Sequence, residues 1–446
     1  MSGQDLVGQR IKTMRRQRGL SQAGLAHPEL SDSYVSLIES GKRTPTPAVL
    51  ELLAEKLDCS VSYLVNGVTS EQLSDLQLAL RYASLTLENG EVEEARRRFA
   101  ELLDDDMLGG LPDLLEQAEY GYALALEACG DLRGAIERLQ RQFDAYYGRA
   151  AAGDEPAQPP QRVDGAEAER RMRIAVALCR CRREAGDLTE GVRAGEHAMA
   201  VELAGGWSDP LVELGATLAS VYHKRGDQLR TMQLVGQLLE AAEELGTHRA
   251  RVAACWNAAT LDEDPAGGER IIALAERALA LQAETGEVRN LARLRQAYGK
   301  LLLRVRPDEP ERARDVLAGV ERELAETSAS AATRARCSVE LAKAELAVGE
   351  PEHALRSAQK AVERADAIAP VIRADAYIVM ARALLMLGKG ELAAEAAANA
   401  GGVLRDVPPS RPCAQAWLDL AETLDLMRDH TASTESYQRA LACVGL

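Results

Sequence analysis

The 446-residue chain has few aromatic residues and no stretches typical of β-strands. Aromatic residues make up 4% of the sequence, with two Phe, and the chain is instead rich in Ala, Leu, Glu and Arg. These residues favour helices, and no run alternates β-branched and polar residues as a half-buried strand would. The sequence therefore predicts an all-α protein. Its length exceeds that of one compact core, so we expect more than one domain.

Signatures of metal binding and catalysis are also missing. The eight Cys are scattered, and the closest pair, Cys179 and Cys181, would point to different faces of a helix. None of the six His stands at a ligand spacing. The sequence contains no GxSxG, GxxxxGKS/T or HExxH motif, and the acidic run at 104–106 is typical of a solvated helix end. We therefore expect no metal, no cofactor and no enzymatic activity.

The chain has no apolar run of 18 residues and does not open on a signal peptide. We therefore expect a cytoplasmic protein that does not cross a membrane. Scattered thiols fit such a reducing compartment, in which they serve as small buried side chains.

The net charge of −16 is unevenly distributed. Residues 1–67 contain eight Lys or Arg and seven Asp or Glu, a net charge of +1, so the rest of the chain carries −17. DNA repels the larger part and tolerates only the smaller one. We therefore expect weak non-specific affinity for DNA, which dimerisation would raise.

The stretch 20–43 predicts two short helices joined by a turn. Ser21 is a typical N-cap residue for the first helix, and Pro28 ends that helix because proline disfavours a helical residue before it. Ser31 caps a second helix over 32–40.

On the second helix, the spacing of Val35 and Ile38 predicts that they face the core. The outward side near its N-terminal end, called the reading face below, consists of Asp32, Ser33, Ser36 and Leu37. Lys42 and Arg43 follow the helix at once, so their charges can reach phosphates.

Residues 6–67 resemble the Xre/Cro-like (lambda-repressor-like) helix-turn-helix domain. The matching segments are Ile11–Lys12 with Arg15, Leu20–Ser21–Gln22 with Leu25–Ala26, Ser31 with Val35–Ser36, Ile38 to Pro45, and Leu50, Leu53–Ala54, Leu57, Val61 and Tyr63–Leu64. The resemblance implies an internal ion pair between Arg15 and Glu39, and a Gln22 side chain that contacts a phosphate and braces the reading helix. The reading face would meet base edges in the major groove of double-stranded DNA. The candidate DNA-binding residues are Arg10, Gln22, Asp32, Ser33, Ser36, Leu37, Lys42 and Arg43.

Two features depart from this domain type. The turn at 28–30 is one residue shorter than the usual pattern and has no glycine, and the reading face has few long polar side chains. The alternative is therefore a small helical domain that binds protein instead of DNA. The ordered motif in its expected context favours DNA binding.

After a short hinge at 68–70, the chain repeats with a spacing close to forty residues. Turn signals interrupt the helical pattern at Gly90–Glu91, Gly130–Asp131, Gly186–Asp187, Gly226–Asp227, near Pro265–Gly267, near Pro307–Glu309, at Gly349–Glu350, at Gly388–Lys389 and near Asp429. One step is longer because a Pro/Gly/Ala-rich insert at 149–165 predicts a flexible loop. The period predicts an α-solenoid of nine helix pairs over 71–446.

The repeats resemble tetratricopeptide repeats, with small residues where helices cross and Leu or Tyr filling the gaps. One repeat shows this at Leu341–Ala342, Gly349–Glu350 and Ala354. A helix-turn-helix domain before such a solenoid resembles the peptide-sensing RRNPP regulators and Xre-family regulators of actinobacteria. The resemblance implies a homodimeric transcription regulator whose solenoid binds a peptide, a protein or another effector.

Polar and aromatic residues on the first helices of the middle repeats are the candidate ligand-binding residues. They are Tyr222, Arg251, Trp256, Asn257, Asn290, Arg293 and Tyr298. Asn257 is the strongest candidate, because Asn in an Ala-rich helix is unfavourable unless its amide has a partner. Asn and Arg together can hold a peptide backbone or a carboxylate. The alternative is that Asn257 bonds a neighbouring helix, while Trp256 and Tyr298 belong to the core.

Two functions remain open at this point. A sequence-specific DNA-binding regulator, gated by an effector in the solenoid, fits the helix-turn-helix motif together with the repeats. An adaptor, whose solenoid docks a protein partner and whose head binds DNA weakly or not at all, fits the acidity and the sparse reading face.

Overall fold

The structure is a computed structural model that describes residues 3–148, 165–262, 267–285, 288–325, 331–365 and 369–445. These residues form helices and turns and contain no strand, which confirms the all-α prediction. The five helices of the N-terminal head are α1 (Gly3–Gln17), α2 (Gln22–Ala26), α3 (Asp32–Glu39), α4 (Pro47–Lys56) and α5 (Val61–Asn66).

Apolar residues from all five head helices meet in one core. Its buried members are Ile11, Leu25, Ala26, Val35, Ile38, Leu53, Ala54, Leu57 and Leu64. The predicted inward orientation of Val35 and Ile38 is therefore confirmed. The backbones of α1 and α3 approach closely at Gly8, where an added Cβ would lie 2.2 Å from the carbonyl oxygen of Ile38.

The remaining helices follow in pairs. They are α6 (Ser70–Glu88), α7 (Val92–Leu103), α8 (Pro112–Ala128), α9 (Leu132–Tyr147), α10 (Gly165–Ala185), α11 (Leu188–Glu202), α12 (Asp209–Arg225), α13 (Gln228–Leu245), α14 (His248–Leu261), α15 (Gly268–Glu284), α16 (Val288–Val305), α17 (Pro310–Ala325), α18 (Ala331–Val348), α19 (Pro351–Arg364), α20 (Pro370–Met386), α21 (Gly390–Arg405), α22 (Arg411–Leu426) and α23 (His430–Ala442), with 3-10 turns at Asp106–Gly110 and Leu203–Gly205. Within the described ranges, eight of the nine predicted turn points coincide with breaks inside helix pairs, which confirms the helix-pair solenoid. The ninth, near Pro265–Gly267, lies outside the described residues apart from Gly267.

The chain forms two compact units. One consists of Met1–Thr86 with Glu94–Tyr122, and the other of Leu87–Glu93 with Ala123–Leu446. The first unit thus extends beyond the head predicted at 1–67, and the hinge at 68–70 stays a prediction. The flexible insert predicted at 149–165 lies outside the described residues, apart from the glycine at which α10 begins.

In the second unit, most first helices pack on the first helix of the next pair. Contacts of this kind join α10 to α12, α12 to α14, α16 to α18, α18 to α20, and α20 to α22. Glycines allow the two helices of a pair to pack closely: an added Cβ at Gly215 would lie 2.6 Å from Leu238, and one at Gly299 would lie 2.5 Å from Leu317. The face of α10, α12, α14, α16, α18, α20 and α22 that the second helices leave uncovered is called the first-helix surface below.

Most of the cysteine side chains are buried. All eight cysteines are free and five of them are buried, including Cys179 and Cys181. Burial raises the pKa of Cys179 to about 12, so this thiol stays protonated and unreactive at neutral pH. In the described ranges, no helix is both long and apolar enough to span a membrane.

Candidate nucleic-acid interface and effector surface

The two helices of the 20–43 stretch are capped as the sequence predicts. Ser21 Oγ accepts a hydrogen bond from Gly24 N at 2.9 Å, and Ser31 Oγ accepts one from Tyr34 N at 3.2 Å. Between them, the His27–Pro28 peptide is cis. The caps satisfy amides that the first turn of each helix would otherwise leave unpaired.

Lys56 of α4 holds the end of α2, a role that the sequence analysis missed. Its Nζ donates to the carbonyl oxygens of Leu25 at 3.1 Å and His27 at 2.6 Å, and it pairs with Glu29. A cation at the C-terminal end of a helix complements the helix dipole. No local spacing signals this contact, because the partners are about thirty residues apart in the chain.

The reading face on α3 is open to solvent. Its four members, Asp32, Ser33, Ser36 and Leu37, are all exposed. The backbone amides of Lys42 and Arg43 both donate to Leu37 O, at 2.9 and 3.2 Å, which fixes both residues beside the C-terminal end of α3. The Arg43 guanidinium lies 4.9 Å from the centre of the Tyr34 ring, so a cation–π contact orients it.

A buried network holds α3 against α1 and α2. Arg15 Nε donates to Glu39 Oε1 at 2.6 Å, and Arg15 Nη2 donates to Glu39 Oε2 at 3.0 Å. Gln22 Nε2 donates to the same Oε2 at 2.9 Å. Burial raises the pKa of Glu39, but the hydrogen bonds from Arg15 and Gln22 outweigh burial and leave the pKa below its usual value. The structure thus contains the ion pair that the family resemblance implies, and Gln22 braces it.

The Arg10 guanidinium lies at the C-terminal end of α5. Its Nη1 donates to Val65 O at 2.5 Å and Leu64 O at 3.4 Å, at the C-terminal end of α5. The guanidinium also lies against Gly67. Burial lowers its pKa. These contacts engage the Arg10 guanidinium within the protein, and its contact with DNA stays a prediction.

Tyr222 and Tyr298 form the same clasp in two different repeats. Tyr222 Oη donates to Glu196 at 2.7 Å, and Arg230 donates to that carboxylate at 2.7 Å. Tyr298 Oη donates to a second-helix carboxylate, Glu276, at 2.8 Å, and an arginine of the next second helix joins it. The clasp ties second helices of neighbouring pairs together, so both tyrosines have packing roles.

Asn257 bonds the neighbouring first helix, as the alternative interpretation expects. Its Nδ2 donates to Ala216 O at 2.7 Å and to Ser220 Oγ at 3.3 Å, both on α12. The side-chain oxygen is buried and has no hydrogen-bond partner among the described residues. Asn257 therefore joins α12 to α14 and retains one acceptor.

Of the other candidate ligand-binding residues, two contact neighbouring parts of the protein and two are exposed. Arg251 pairs with Glu243 on α13 at 3.3 Å. Trp256 packs against the buried core around Tyr298, as the alternative interpretation expects. Asn290 is exposed in the first turn of α16, and Arg293 is exposed one turn further on.

Arg293 lines a cavity of about 410 Å³ between α16 and α18, called the α16–α18 cavity below. Its lining residues are Arg293, Gln296, Ala297 and Lys300 of α16, and Ala332, Thr333, Arg336 and Glu340 of α18. The sequence analysis missed Gln296, Lys300 and Arg336. The available signal was their spacing, because 293, 296, 297 and 300 follow the i, i+3, i+4, i+7 pattern of one helix face.

Acidic groups lie further along the first-helix surface. Lys343 Nζ pairs with Glu340 Oε1 at 3.5 Å. Burial lowers the pKa of Lys343, but the charges of Glu340, Asp375 and Asp419 raise it above its usual value. Burial and the charges of Asp419 and Glu340 raise the pKa of Asp375 to about 6, while Lys343 and Lys300 act in the opposite direction.

The raised pKa of Asp375 predicts that the ionised carboxylate destabilises the second unit, so its stability depends on pH. The folded state binds the proton more tightly than the unfolded chain, so stability falls as pH rises from about 4 to about 6. We expect Asp375→Asn to raise stability by about 1–2 kcal/mol at pH 7.5, after allowance for partial exposure, and hardly at all near pH 4.

Thermal unfolding of the full chain at both pH values measures this difference. The same substitution at the exposed Asp308 controls for the loss of one negative charge. Equal stabilisation by Asp375→Asn at the two pH values would contradict the account.

The head is similar in sequence to known proteins, and the helical repeats are similar in structure to a solved protein. A helix-turn-helix family model matches residues 11–64. The HTH-type transcriptional regulator SinR of Bacillus licheniformis is 34% identical over 101 residues, which are 22% of this chain and 90% of SinR. The HTH-type transcriptional regulator PrpR of Mycobacterium tuberculosis is 39% identical over 70 residues, which are 16% of this chain and only 14% of PrpR.

Among solved structures, a Rap protein complexed with competence and sporulation factor is similar to 83% of this chain. The similarity covers 98% of the Rap chain, with a TM-score of 0.50 and 13% sequence identity. At this identity the similarity concerns the fold of the helical repeats alone.

Proposed function

Because the chain belongs to the Xre-like helix-turn-helix transcriptional regulators, we propose that it is a homodimeric, sequence-specific regulator whose DNA binding responds to an effector on the first-helix surface. The observation that carries the proposal is the solvent-exposed reading face on a helix whose other side is fixed by the Arg15–Glu39–Gln22 network. A rigid helix with an open face can enter the major groove without first being ordered.

The side chains have different proposed roles on DNA. Asp32 would accept a hydrogen bond from cytosine, Ser33 and Ser36 would bond several base edges, and Leu37 would contact a thymine methyl group. Lys42, Arg43 and the remaining donor capacity of Gln22 would bind phosphates and set the register. The head carries a charge of only +1, so a single head would bind weakly.

A second copy of the chain would supply the missing affinity. Leu78, Tyr82 and Leu85 of α6 are 51%, 54% and 49% exposed, and they follow the i, i+4, i+7 spacing of one helix face. They belong to the same compact unit as the head. A self-complementary contact between two such faces would place two heads on an inverted repeat.

A peptide is the proposed effector. Support comes from the repeat fold, which is similar to that of a Rap protein complexed with competence and sporulation factor. Asn257 also retains a buried acceptor oxygen, which a backbone amide of an extended peptide would satisfy. Binding of the peptide would favour one arrangement of the repeats and so change the spacing of the two heads.

Two substitutions in the head test DNA binding. Fluorescence anisotropy with DNA selected by the full chain from a random pool should show three- to tenfold weaker binding, as an order of magnitude, for Gln22→Ala and for Lys42→Ala. For Lys42→Ala, the dependence of log affinity on log salt should become shallower by about 0.9, because one cation no longer displaces counterions from a phosphate. For the neutral Gln22, the salt dependence should stay unchanged.

Arg18→Ala is the matched control, because Arg18 pairs with Asp58 at 3.0 Å and its substitution removes the same charge from the head as Lys42→Ala. Its salt dependence should equal that of the unmodified chain. If both head variants bind like this control, the proposed phosphate contacts are wrong. Failure of the full chain to select any DNA would favour the adaptor function.

A further inference from the structure

The charged residues that line the α16–α18 cavity are mainly cationic. Arg293, Lys300 and Arg336 line it together with one acidic residue, Glu340, whose carboxylate is paired with Lys343. The cavity therefore has a positive charge although residues 68–446 carry −17. Clustered like charges repel one another, so such a cluster in an acidic protein calls for an explanation beyond folding.

The three cations differ from their neighbours because the described residues form no direct ion pair with them. On the same helix, Arg295 pairs with Glu323, and on α19, Arg364 pairs with Glu321 at 3.0 Å. Within the described ranges, Arg293, Lys300 and Arg336 make no hydrogen bond or ion pair. The acidic excess thus neutralises the nearby arginines and leaves the cavity cations available.

The sequence of α16 reinforces this point. The helix carries four Arg and one Lys and contains no Asp or Glu. The residues that give the cavity its volume are small, with Ala297 on α16 facing Ala332 on α18. The cavity and the unpaired positive charges therefore lie at the same place on the first-helix surface.

The region next to the cavity has the opposite charge. Along the same surface, α18, α20 and α22 pack in succession, and Lys343 is surrounded by Glu340, Asp375 and Asp419. Three carboxylates around one ammonium leave this region negative. A ligand with several phosphates would be repelled here, whereas a ligand with opposite charges at two points fits both regions.

We propose that the α16–α18 cavity binds the C-terminal carboxylate of a peptide effector, through Arg293, Arg336 and Lys300, and that a cationic group of the same peptide lies toward Asp375 and Asp419. The proposal rests on the peptide-effector function above and specifies the chemistry and direction of the ligand. Arginine binds a carboxylate through two parallel hydrogen bonds, and Gln296 supplies a neutral amide for the last peptide unit. The volume suits the last few residues of a peptide.

The test uses the full chain and two synthetic heptapeptide libraries that differ only in their C-terminus, one a free carboxylate and the other an amide. Immobilised protein is incubated with each library, and mass spectrometry identifies the retained peptides. We expect the free-carboxylate library to yield at least about tenfold more retained material, enriched in Lys or Arg away from the C-terminus. The double variant Arg293→Gln/Arg336→Gln should lose this retention.

The controls separate binding from folding. Arg295→Gln removes a positive charge from the same helix but from a residue paired with Glu323, so it should retain peptides like the unmodified chain. The melting temperature of the double variant without peptide should equal or exceed that of the unmodified chain, because the substitutions remove repulsion.

Several results would overturn the inference. These are equal retention of the amidated library, unchanged retention by the double variant, no retention from either library, and stabilisation by inorganic pyrophosphate alone through Arg293 and Arg336. DNA binding is measured on the same preparations. Intact DNA binding with any of these results refutes the carboxylate site and leaves the regulator standing, whereas absence of specific DNA binding by the unmodified chain refutes the regulator itself.

Discussion

Glu39→Ala should destabilise the head by about 3 kcal/mol and abolish specific DNA binding. The substitution leaves the buried Arg15 guanidinium without its carboxylate, and the Gln22 amide loses its acceptor. Removal of one member of a buried ion pair costs about 3–5 kcal/mol because the remaining charge is desolvated and unpaired. Arg15 retains a hydrogen bond to Leu20 O at 2.7 Å, which places the expected cost at the lower end.

Hydrogen exchange on the full chain measures this loss of stability in the head itself. Amides of α3 that exchange by local opening should exchange roughly 100-fold faster in Glu39→Ala. The depressed pKa of Glu39 means that its contribution is complete above the unfolded value of about 4.5 and disappears as pH falls through the folded value. The difference in α3 exchange rates between Glu39→Ala and the unmodified chain should therefore be largest at pH 7 and should decrease below pH 4.

Glu29→Ala is the matched control for this prediction. It removes a carboxylate that also pairs with a cation, Lys56, but at an exposed position. Exposed pairs contribute little, and Lys56 keeps its carbonyl partners on α2. If both variants change the exchange of α3 equally, the buried network does not hold the reading helix.

Gly8→Ala should separate α1 from α3 and weaken DNA binding at least tenfold, as an order of magnitude. Alanine is the better helix former by about 1 kcal/mol, which opposes the effect. The added Cβ, however, would lie 2.2 Å from Ile38 O and 3.2 Å from the Glu39 backbone. Backbone atoms cannot rotate away as a side chain can, so the two helices must shift, at a net cost of about 2 kcal/mol or more.

Gly24→Ala provides the opposite case within the same head. Its Cβ would meet Ser21 Oγ at 3.3 Å and Leu20 at 3.9 Å, so it fits with little adjustment. Helix propensity then dominates, and we expect unchanged or slightly raised stability with unchanged DNA affinity. Anisotropy titrations with the selected DNA compare the two alanine variants directly, and equal affinities would show that α1 and α3 tolerate separation.

Much of the fold could be predicted from short-range patterns. The caps at Ser21 and Ser31 could be predicted because each hydroxyl bonds an amide only three residues further along the chain. The glycines at the turns between paired helices are likewise visible in the local sequence. The Arg15–Glu39 pair spans 24 residues and follows from the family resemblance, not from spacing. Local chemistry thus determines the elements, and resemblance supplies one long-range contact.

The contacts that sequence patterns do not predict join residues far apart in the chain. Lys56 reaches the end of α2, and the Tyr–Glu–Arg clasp at Tyr222 joins residues 26 apart. Asn257 is correctly predicted to be a polar residue with a partner, yet that partner is α12. Sequence shows which side chains need a partner, whereas only packing shows whether the protein or a ligand supplies it.

The same reasoning explains why the cavity is only partly predictable. Arg293 stands out alone in the sequence, while Lys300 and Arg336 are ordinary surface residues until the two helices are placed side by side. The readable signal is that α16 carries four Arg and one Lys without any acidic residue.

Genome-wide occupancy of the tagged full chain, compared with that of Arg43→Ala, tests the central claim most directly. Arg43 is held beside the reading face by Leu37 O and the Tyr34 ring, so its substitution should remove a phosphate contact without disturbing the fold. We expect sharp peaks that share an inverted repeat in the unmodified chain and are strongly reduced in the variant. Identical peaks in both, or no peaks in cells where the chain is folded and expressed, would contradict a regulator that reads DNA through α3.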